Sequence, residues 1–304
     1  MIAALLLAGC ATAAPAPATP PPAGAEAIAF DGRALTRPAL PDAFIAEQEG
    51  LLAQARAIDT PQHPQQMADA AIWIGRRLGY LGRYREAIAA FEDGAARFPE
   101  DPRFLRHLGH RFITVRQLDD AITTLTRAEA MTAHSPDEIE PDGLPNTANT
   151  PTSTLKGNIA YHLGLAHYLR GDFPTAARVF QGAVALAANA DAAVAARYWL
   201  YLALARSGNL QAAKAALAPI QPDWPVHEES AYFWLTLCFS GQGACDTAEE
   251  GAPAPQSAAI AYGLAAQALI EGRRTEAHAA MRAILTRSDW ASFGYIAAEA
   301  DLAR

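Results

Sequence analysis

The sequence predicts an all-α protein built from repeated helix pairs. Apolar residues make up 51% of the 304 residues, but only 8% are aromatic, and much of the apolar content is alanine, the strongest helix former. Clusters of β-branched residues, which are typical of strands, are scarce. A turn followed by a helix recurs five times, at residues 82–95, 116–129, 171–184, 208–221 and 272–285.

The N-terminal segment predicts export and lipid anchoring. The chain begins MIAALLLAGC, and its LAGC ending resembles the lipobox of bacterial lipoproteins. The resemblance implies that residues 1–9 are a signal peptide and that Cys10 is acylated and bound to a membrane. Ala11, which is not acidic, favours the outer membrane with the protein facing the periplasm. A chance match in an Ala/Leu-rich segment is the alternative.

The Ala/Pro-rich stretch that follows, residues 10–40, has too few large apolar residues for a core. We expect it to form an extended tether between the membrane and the folded domain. The helical domain is then expected over residues 41–304. Its first helix, at 41–58, is expected to cap the N-terminal end of the repeats, because an exposed first repeat would leave a core face in water.

The five repeated segments share one packing pattern. In each, an alanine precedes a large apolar residue by four positions: Ala87 and Phe91, Ala121 and Leu125, Ala176 and Phe180, Ala213 and Leu217, Ala277 and Met281. Upstream of each turn lies another amphipathic helix with apolar residues at helical spacing. Gly75, Gly109 and Gly164 in these upstream helices are expected to let the partner helix approach closely.

This combination resembles the tetratricopeptide repeat pattern W-x2-L-G-x2-Y, A-x3-F, P over roughly residues 65–290. The resemblance implies a right-handed α-α superhelix of about five repeats. It is specific for fold and not for function, because such a fold binds many different partners.

Two irregularities interrupt the array. A polar, proline-containing loop lies at 133–156, and an atypical insert with an extra helix near 227–240 lies at 222–256. The loop is longer than connections without a function usually are. Its prolines and asparagines predict fixed turns, and Ser153 or Thr154 is expected to cap the next helix. We therefore expect the loop to form a wall of a binding site, with its acidic residues solvated: Asp137, Glu138, Glu140 and Asp142.

The predicted binding residues lie on the first helix of each repeat, which the resemblance places on the concave side. They are Arg76, Arg103, Arg106, His110, Asn158, Tyr161, Tyr168 and Tyr198. Arginine binds carboxylates in a bidentate geometry, and tyrosine offers flat apolar area with a hydroxyl. These side chains predict a site for an extended peptide or an acidic small ligand. The alternative is a solvated helix face.

No catalytic residue, metal or cofactor is predicted. The chain contains no nucleophile elbow, phosphate-binding loop or dinucleotide-binding glycine motif. His107 and His110 share a helix flank, but histidines in helices more often serve packing than metal binding. Cys238 and Cys245 lack zinc-site spacing and are expected to form a structural disulfide. The net charge of −8 argues against a nucleic-acid partner.

Three functions remain open on the sequence alone. The first is a lipid-anchored scaffold that binds a protein or peptide partner, for which we expect an open groove lined by arginine and tyrosine. The second is a small-molecule receptor in which the 135–156 loop acts as a lid over an enclosed pocket. The third, an enzyme hidden in the same groove, requires a cluster of strongly perturbed titratable groups.

Overall fold

Helix pairs dominate the computed structural model, which describes residues 22–245 and 254–304. The signal peptide, Cys10 and the first part of the expected tether lie outside these residues. The described chain forms thirteen helices: α1 Asp42–Ile58, α2 Met67–Tyr80, α3 Tyr84–Arg97, α4 Pro102–Thr114, α5 Leu118–Thr132, α6 Leu155–Arg170, α7 Phe173–Leu186, α8 Ala190–Arg206, α9 Leu210–Leu217, α10 Ser230–Ser240, α11 Ala254–Ile270, α12 Arg274–Ile284 and α13 Phe293–Leu302.

Consecutive helices pack as five pairs, α2/α3, α4/α5, α6/α7, α8/α9 and α11/α12. Helix α1 packs on α2 as the expected cap, and α10 is the extra helix of the insert. The predicted all-α fold of paired helices is therefore confirmed.

Glycines allow the close helix contacts within the first three pairs. A Cβ atom added to Gly75 would lie 2.4 Å from the ring of Phe91, and one added to Gly164 would lie 2.9 Å from the ring of Phe180. Gly109 is equally close to Leu125. These partners are the large apolar residues of the repeated segments, and each is almost completely buried. The expected role of the small residue is confirmed in these three repeats.

The turn between the two helices of a pair uses a left-handed backbone residue. Glycine has this role at Gly82, Gly171, Gly208 and Gly272, with φ between 69° and 88°. In the second pair the same position holds Arg116, at φ 68°. A non-glycine residue in this conformation costs roughly 1–2 kcal/mol, so the side chain of Arg116 must offset that cost elsewhere.

Part of the expected tether is folded. Residues Ala25–Ile28 (β1) and Ala34–Thr36 (β2) form an antiparallel hairpin. Ala27 is 1% exposed, and Glu26 Oε2 accepts a hydrogen bond from the backbone N–H of Arg85 on α3. The expectation of an extended tether through residue 40 is thus corrected. The segment FDGRAL carries an Asp-Gly turn between apolar residues, which is a hairpin signal.

The C-terminal helix α13 packs on α6, α11 and α12 and reaches the N-terminal part of the chain. Glu299 of α13 accepts hydrogen bonds from the Phe30 backbone N–H and from Arg116 Nη2, the latter at 2.6 Å. Trp290, just before α13, donates from Nε1 to the carbonyl oxygen of Thr36 at 2.8 Å. The two ends of the array are therefore joined across one side of the molecule.

The insert contains a disulfide between Cys238 and Cys245, whose Cα atoms lie 5.1 Å apart. Within the described residues, no helix is both long enough and apolar enough to cross a membrane.

Candidate ligand pocket

A cavity of about 490 Å³ lies among α4, α6, α8, α10 and the start of α13. Its volume is in the range of small-molecule sites, which is about 300–1,000 Å³. Mostly small apolar residues from the end of α7 and the start of α8 line part of the cavity, and aromatic and polar side chains line the rest. Of the predicted binding residues, it brings together Arg106, His110, Asn158 and Tyr161.

The loop between α5 and α6 forms part of the pocket wall. It folds back on itself, with the backbone N–H of Glu140 bonded to the Ser153 carbonyl oxygen at 3.0 Å. Thr152 Oγ1 and Asn146 Nδ2 both donate to the carboxylate of Glu228, at 2.8 and 2.5 Å. Thr154 caps α6 by accepting from the Gly157 N–H. Thr152 and Thr154 line the cavity. The loop is thus held by hydrogen bonds within itself, to α6 and to the insert.

The buried ion pair of Arg106 and Glu140 lies at the edge of this pocket. Glu140 comes from the acidic part of the loop, and it is 7% exposed; the expectation that this residue is solvated is wrong. Its Oε2 accepts from Arg106 Nη2 at 2.7 Å, and its carboxylate also bonds Asn158 Nδ2. Burial without a partner charge is unfavourable, which explains why the loop supplies a carboxylate here. Yet Arg106 Nε and Glu140 Oε1 are both buried, and neither has a hydrogen-bond partner among the described residues.

Three histidines adjoin this arginine in neutral form. His162 Nδ1 donates to the Asn158 carbonyl oxygen at 2.7 Å, because a carbonyl can only accept. His107 Nδ1 accepts from Arg106 Nη1 at 2.9 Å, and His110 Nε2 accepts from Arg111 Nη2 at 2.6 Å, because a guanidinium can only donate. Burial, reinforced by Arg106 and Arg111, holds the pKa of all three histidines well below its usual value.

Aromatic side chains form the floor of the pocket. Tyr161 Oη accepts from Trp199 Nε1 at 3.0 Å and lies 3.4 Å from Tyr232 Oη. The ring of Phe293, at the start of α13, lies 6.1 Å from that of Tyr161 and 5.7 Å from that of His162, measured between centroids. Helix α13 therefore completes a site that the repeat helices begin.

Carboxylates line the side of the pocket formed by α8 and α10. Asp191 is 2% exposed and accepts from the backbone N–H groups of His227, Glu228 and Glu229, with distances from 2.7 to 3.1 Å. It thereby fixes the segment that leads into α10. Glu228 is held by the loop, as described above. Burial and the charges of Asp191 and Glu228 raise the pKa of Glu229 to about 8.

The structure places the other predicted binding residues outside this pocket. Tyr168 and Tyr198 are each 0% exposed, because α10, α11 and α13 cover the side of α6 and α8 that was expected to face an open groove. Tyr168 Oη bonds Tyr262 Oη at 2.7 Å, and the Tyr198 ring stacks on Tyr232 with centroids 4.6 Å apart. The expectation that these two tyrosines line the concave surface is wrong.

Arg76 and Arg103 are engaged by other parts of the chain. Arg76 Nη1 donates to the Pro141 carbonyl oxygen of the loop at 2.7 Å, and Arg76 lines a smaller cavity of about 140 Å³ next to the main pocket. Arg103 pairs with Asp69 and Asp101, each at 2.6 Å, in neither cavity.

Several residues in or next to the pocket were not predicted by the sequence analysis. Glu140 was recognised only as part of a solvated acidic run. Glu229 and Tyr232 belong to the insert, and Phe293 follows the last repeat. No local pattern indicates that these segments meet at α6, since the contacts are long-range. The one available signal was the length of the insert.

In the part of the chain that the structure describes, no three His, Cys, Asp or Glu residues are grouped as metal ligands. The nitrogen lone pairs of His107 Nδ1 and His110 Nε2 already accept hydrogen bonds from arginine.

Comparison with known proteins gives distant structural likeness only. No family model and no curated protein matches the chain. Among solved structures, it is similar to MamA AMB-1, with 17% identity and a TM-score of 0.40 over 58% of this chain and 85% of that one. MamA MSR-1 is similar with 15% identity and a TM-score of 0.38, over 58% of this chain and 88% of that one.

Proposed function

We propose that this chain is a binding protein that holds a small ligand in the pocket beneath the 135–156 loop. The observation that carries the proposal is the pocket of about 490 Å³, which is lined by apolar and aromatic residues and by a few polar side chains, Arg106 and Glu229 among them. A cavity of this size with mostly apolar walls and a few polar groups is typical of small-molecule sites. An open groove for an extended chain is less consistent with α13 and the loop, which occupy that side.

A substitution that fills the pocket tests this proposal. Ala192 lines the cavity, so Ala192→Trp is expected to abolish stabilisation by any ligand that binds there. Ala185→Trp, at an exposed position of α7 outside the lining, is the matched control. A library of metabolites and short peptides is screened by thermal shift, since a ligand that binds the folded state raises Tm. Ligands that stabilise both variants equally would contradict a site in this pocket.

A protein or peptide partner is the second candidate, and the repeated helix pairs support it because such arrays present extended surfaces. In this form of the proposal a chain end of the partner enters the pocket. Affinity capture from an envelope extract tests it: a partner enriched by the wild type and by Ala185→Trp, but lost with Ala192→Trp, would support it. A partner retained by all three would place its contact elsewhere.

Catalysis is not part of the proposal. The perturbed pKa values of His110, His162 and Glu229 meet one requirement of an enzyme site. However, the serine hydroxyl of Ser292, which also lines the pocket, lies 3.4 Å from Asp289 Oδ2. Among the residues that the structure describes, no histidine is hydrogen-bonded to Ser292 Oγ, the contact that activates a serine nucleophile.

Membrane attachment through Cys10 also remains a proposal, supported by the LAGC sequence. The expected location is the outer membrane, facing the periplasm. Metabolic labelling with a fatty acid, followed by membrane fractionation, tests it: labelling and membrane association are expected in the wild type and are expected to be lost in Cys10→Ser.

A further inference from the structure

The charges lining the main pocket are unequal. Its walls carry three carboxylates, from Asp191, Glu228 and Glu229, and a single arginine, Arg106. Arg106 is already paired with Glu140. Across residues 22–245 and 254–304, neither lysine nor arginine forms an ion pair with any of the three carboxylates. The pocket therefore carries an excess of negative charge.

The three carboxylates differ in how the protein satisfies them. Asp191 accepts three backbone N–H groups, and Glu228 accepts from Asn146 and Thr152. These hydrogen bonds occupy part of the acceptor capacity of both carboxylates. Glu229 is held by neither arrangement. Its carboxyl group is thus the one that a ligand is best able to bind.

Aromatic rings stand next to this carboxyl group. Tyr232 follows Glu229 in the first turn of α10, and Tyr161 approaches Tyr232 to 3.4 Å between hydroxyl oxygens. Phe293 closes the group from α13. Aromatic faces attract organic cations, and rings combined with a carboxylate are a recurrent way to bind ammonium groups. The histidines nearby are neutral and do not oppose a cation.

Glu229 has a raised pKa, as expected for a carboxyl group that has no cationic partner among the described residues. Burial raises the pKa of Glu229, and so do the charges of Asp191 on α8 and Glu228 beside α10. The hydroxyl groups of Tyr161 and Tyr232, which also face Glu229, are neutral. At pH 7 the carboxyl group is therefore mostly protonated. A bound cation favours the ionised form, so binding is expected to release a proton.

We propose that the pocket binds an organic ammonium group, with the Glu229 carboxylate and the rings of Tyr161, Tyr232 and Phe293 around the nitrogen. The apolar body of the ligand then lies along the alanine-rich wall from the end of α7 to the start of α8. This inference rests on the proposed pocket function and specifies its ligand class. The ammonium group belongs either to a free amine or to the amino end or lysine of a peptide.

Calorimetric titration of the full chain at pH 7 tests the charge requirement. The probes are choline and its uncharged isostere 3,3-dimethyl-1-butanol. Choline has no titratable proton on nitrogen, so any proton released, measured in buffers of different ionisation enthalpy, comes from the protein. We expect choline to bind at least about tenfold more tightly than the alcohol, equivalent to about 1.4 kcal/mol, with release of up to one proton.

The source of the ammonium group is distinguished by further probes. n-Butylamine represents a free amine, and trialanine amide with a free or an acetylated amino end represents a peptide. Preference for the free-ended peptide over n-butylamine and choline would assign a peptide source. The reverse preference would assign a small amine. Loss of binding on acetylation is expected in the peptide case.

Two variants locate the interaction. Glu229→Gln keeps the side-chain shape and is expected to weaken ammonium binding by about tenfold or more and to abolish proton release. Glu138→Gln, an exposed loop carboxylate outside the pocket lining, is the matched control and is expected to change neither. Circular dichroism of both variants checks that they are folded.

Equal binding of choline and its uncharged isostere, or unchanged ammonium binding by folded Glu229→Gln, would overturn the proposal. So would the failure of every ammonium probe to bind. If uncharged or anionic compounds nevertheless stabilise the wild type and not Ala192→Trp, the pocket function stands and only the ligand class is wrong. If no compound distinguishes wild type from Ala192→Trp, both proposals fail.

Discussion

Two buried arginines near the same helix have opposite surroundings. Arg116, in the turn after α4, has its guanidinium fully engaged: it donates to Glu299 and to the carbonyl oxygens of Thr114 and Trp290. Arg106, within α4, has an unsatisfied Nε and a partner with an unsatisfied Oε1. The first arginine joins distant parts of the chain, and the second borders a cavity.

The difference shows how two similar ion pairs serve different purposes. A buried pair that is completely hydrogen-bonded stabilises the fold as long as both members are present. The Arg106 pair instead lies beside a cavity, and the Arg106 side chain forms part of the cavity lining. The left-handed backbone of Arg116, where the other repeats use glycine, is consistent with the first role, because glycine cannot reach Glu299.

The largest expected effect comes from breaking the Arg116 pair. Glu299→Ala leaves a buried arginine without its counter-charge and is expected to lower the free energy of unfolding by about 3–5 kcal/mol. Urea unfolding followed by circular dichroism measures it. The control is Glu271→Ala, which removes an exposed partner of Arg273. A loss below about 1 kcal/mol in Glu299→Ala would contradict the structural role of the pair.

Lowering the pH is expected to destabilise the folded protein through the three histidines near Arg106. The pKa values of His107, His110 and His162 are lowered in the folded protein, so below about pH 6.5 the unfolded chain binds more protons at these sites. Stability contributed by each neutral histidine is present above that pH and is lost as the pH falls, by up to about 1.4 kcal/mol per pH unit.

Glu229 opposes this trend. Its pKa is raised from the ordinary value of 4.5 to about 8 in the folded protein, so between these pH values the folded protein binds a proton that the unfolded chain does not, and this contribution to stability grows as the pH falls. The loss of stability between pH 6.5 and 5.5 is therefore expected to be steeper in Glu229→Gln than in the wild type. Urea unfolding at each pH measures both slopes, with His110→Gln expected to reduce them. A flat profile in Glu229→Gln would contradict the assignment of neutral histidines.

Removing the carboxylate charge of the Arg106–Glu140 pair is expected to lower the free energy of unfolding by less. Glu140→Gln leaves Arg106 next to a neutral amide and is expected to lower the free energy of unfolding by about 1–2 kcal/mol, less than Glu299→Ala because the site borders a cavity. Glu138→Gln, exposed on the same loop, is expected to stay within about 0.5 kcal/mol of wild type. Equal losses for Glu140→Gln and Glu299→Ala would remove the distinction between the two pairs.

Arg103 is expected to give the smallest effect. It pairs with Asp69 and Asp101, but its side chain is 35% exposed, and pairs in such positions contribute about 1 kcal/mol or less. Arg103→Ala is therefore expected to change stability little and to leave pocket binding unchanged. A marked loss of ligand affinity in Arg103→Ala, measured by calorimetry, would show that Arg103 takes part in binding after all.

The sequence contained enough information for the helix pairs, since local periodicity places Gly75 opposite Phe91. The residue type of Thr154, just before α6, likewise indicated a helix cap. The hairpin was also recognisable, from the Asp-Gly turn in FDGRAL, but its Ala/Pro-rich surroundings favoured a tether. The burial of Tyr168 and Tyr198 was beyond local patterns, because it depends on the path of α13 and the insert. Part of the candidate site was missed for the same reason: Glu229 and Phe293 reach it through long-range packing.

The contact between Glu299 and Arg116, with that between Trp290 and Thr36, has a consequence for the number of repeats. A linear array gains or loses a repeat at its end without disturbing the others, because each unit touches only its neighbours. Here α13 must lie where it can contact the hairpin segment and the turn of the second helix pair. An inserted or deleted pair would displace α13 and remove Phe293 from the pocket. The length of this array is therefore tied to the shape of its binding site.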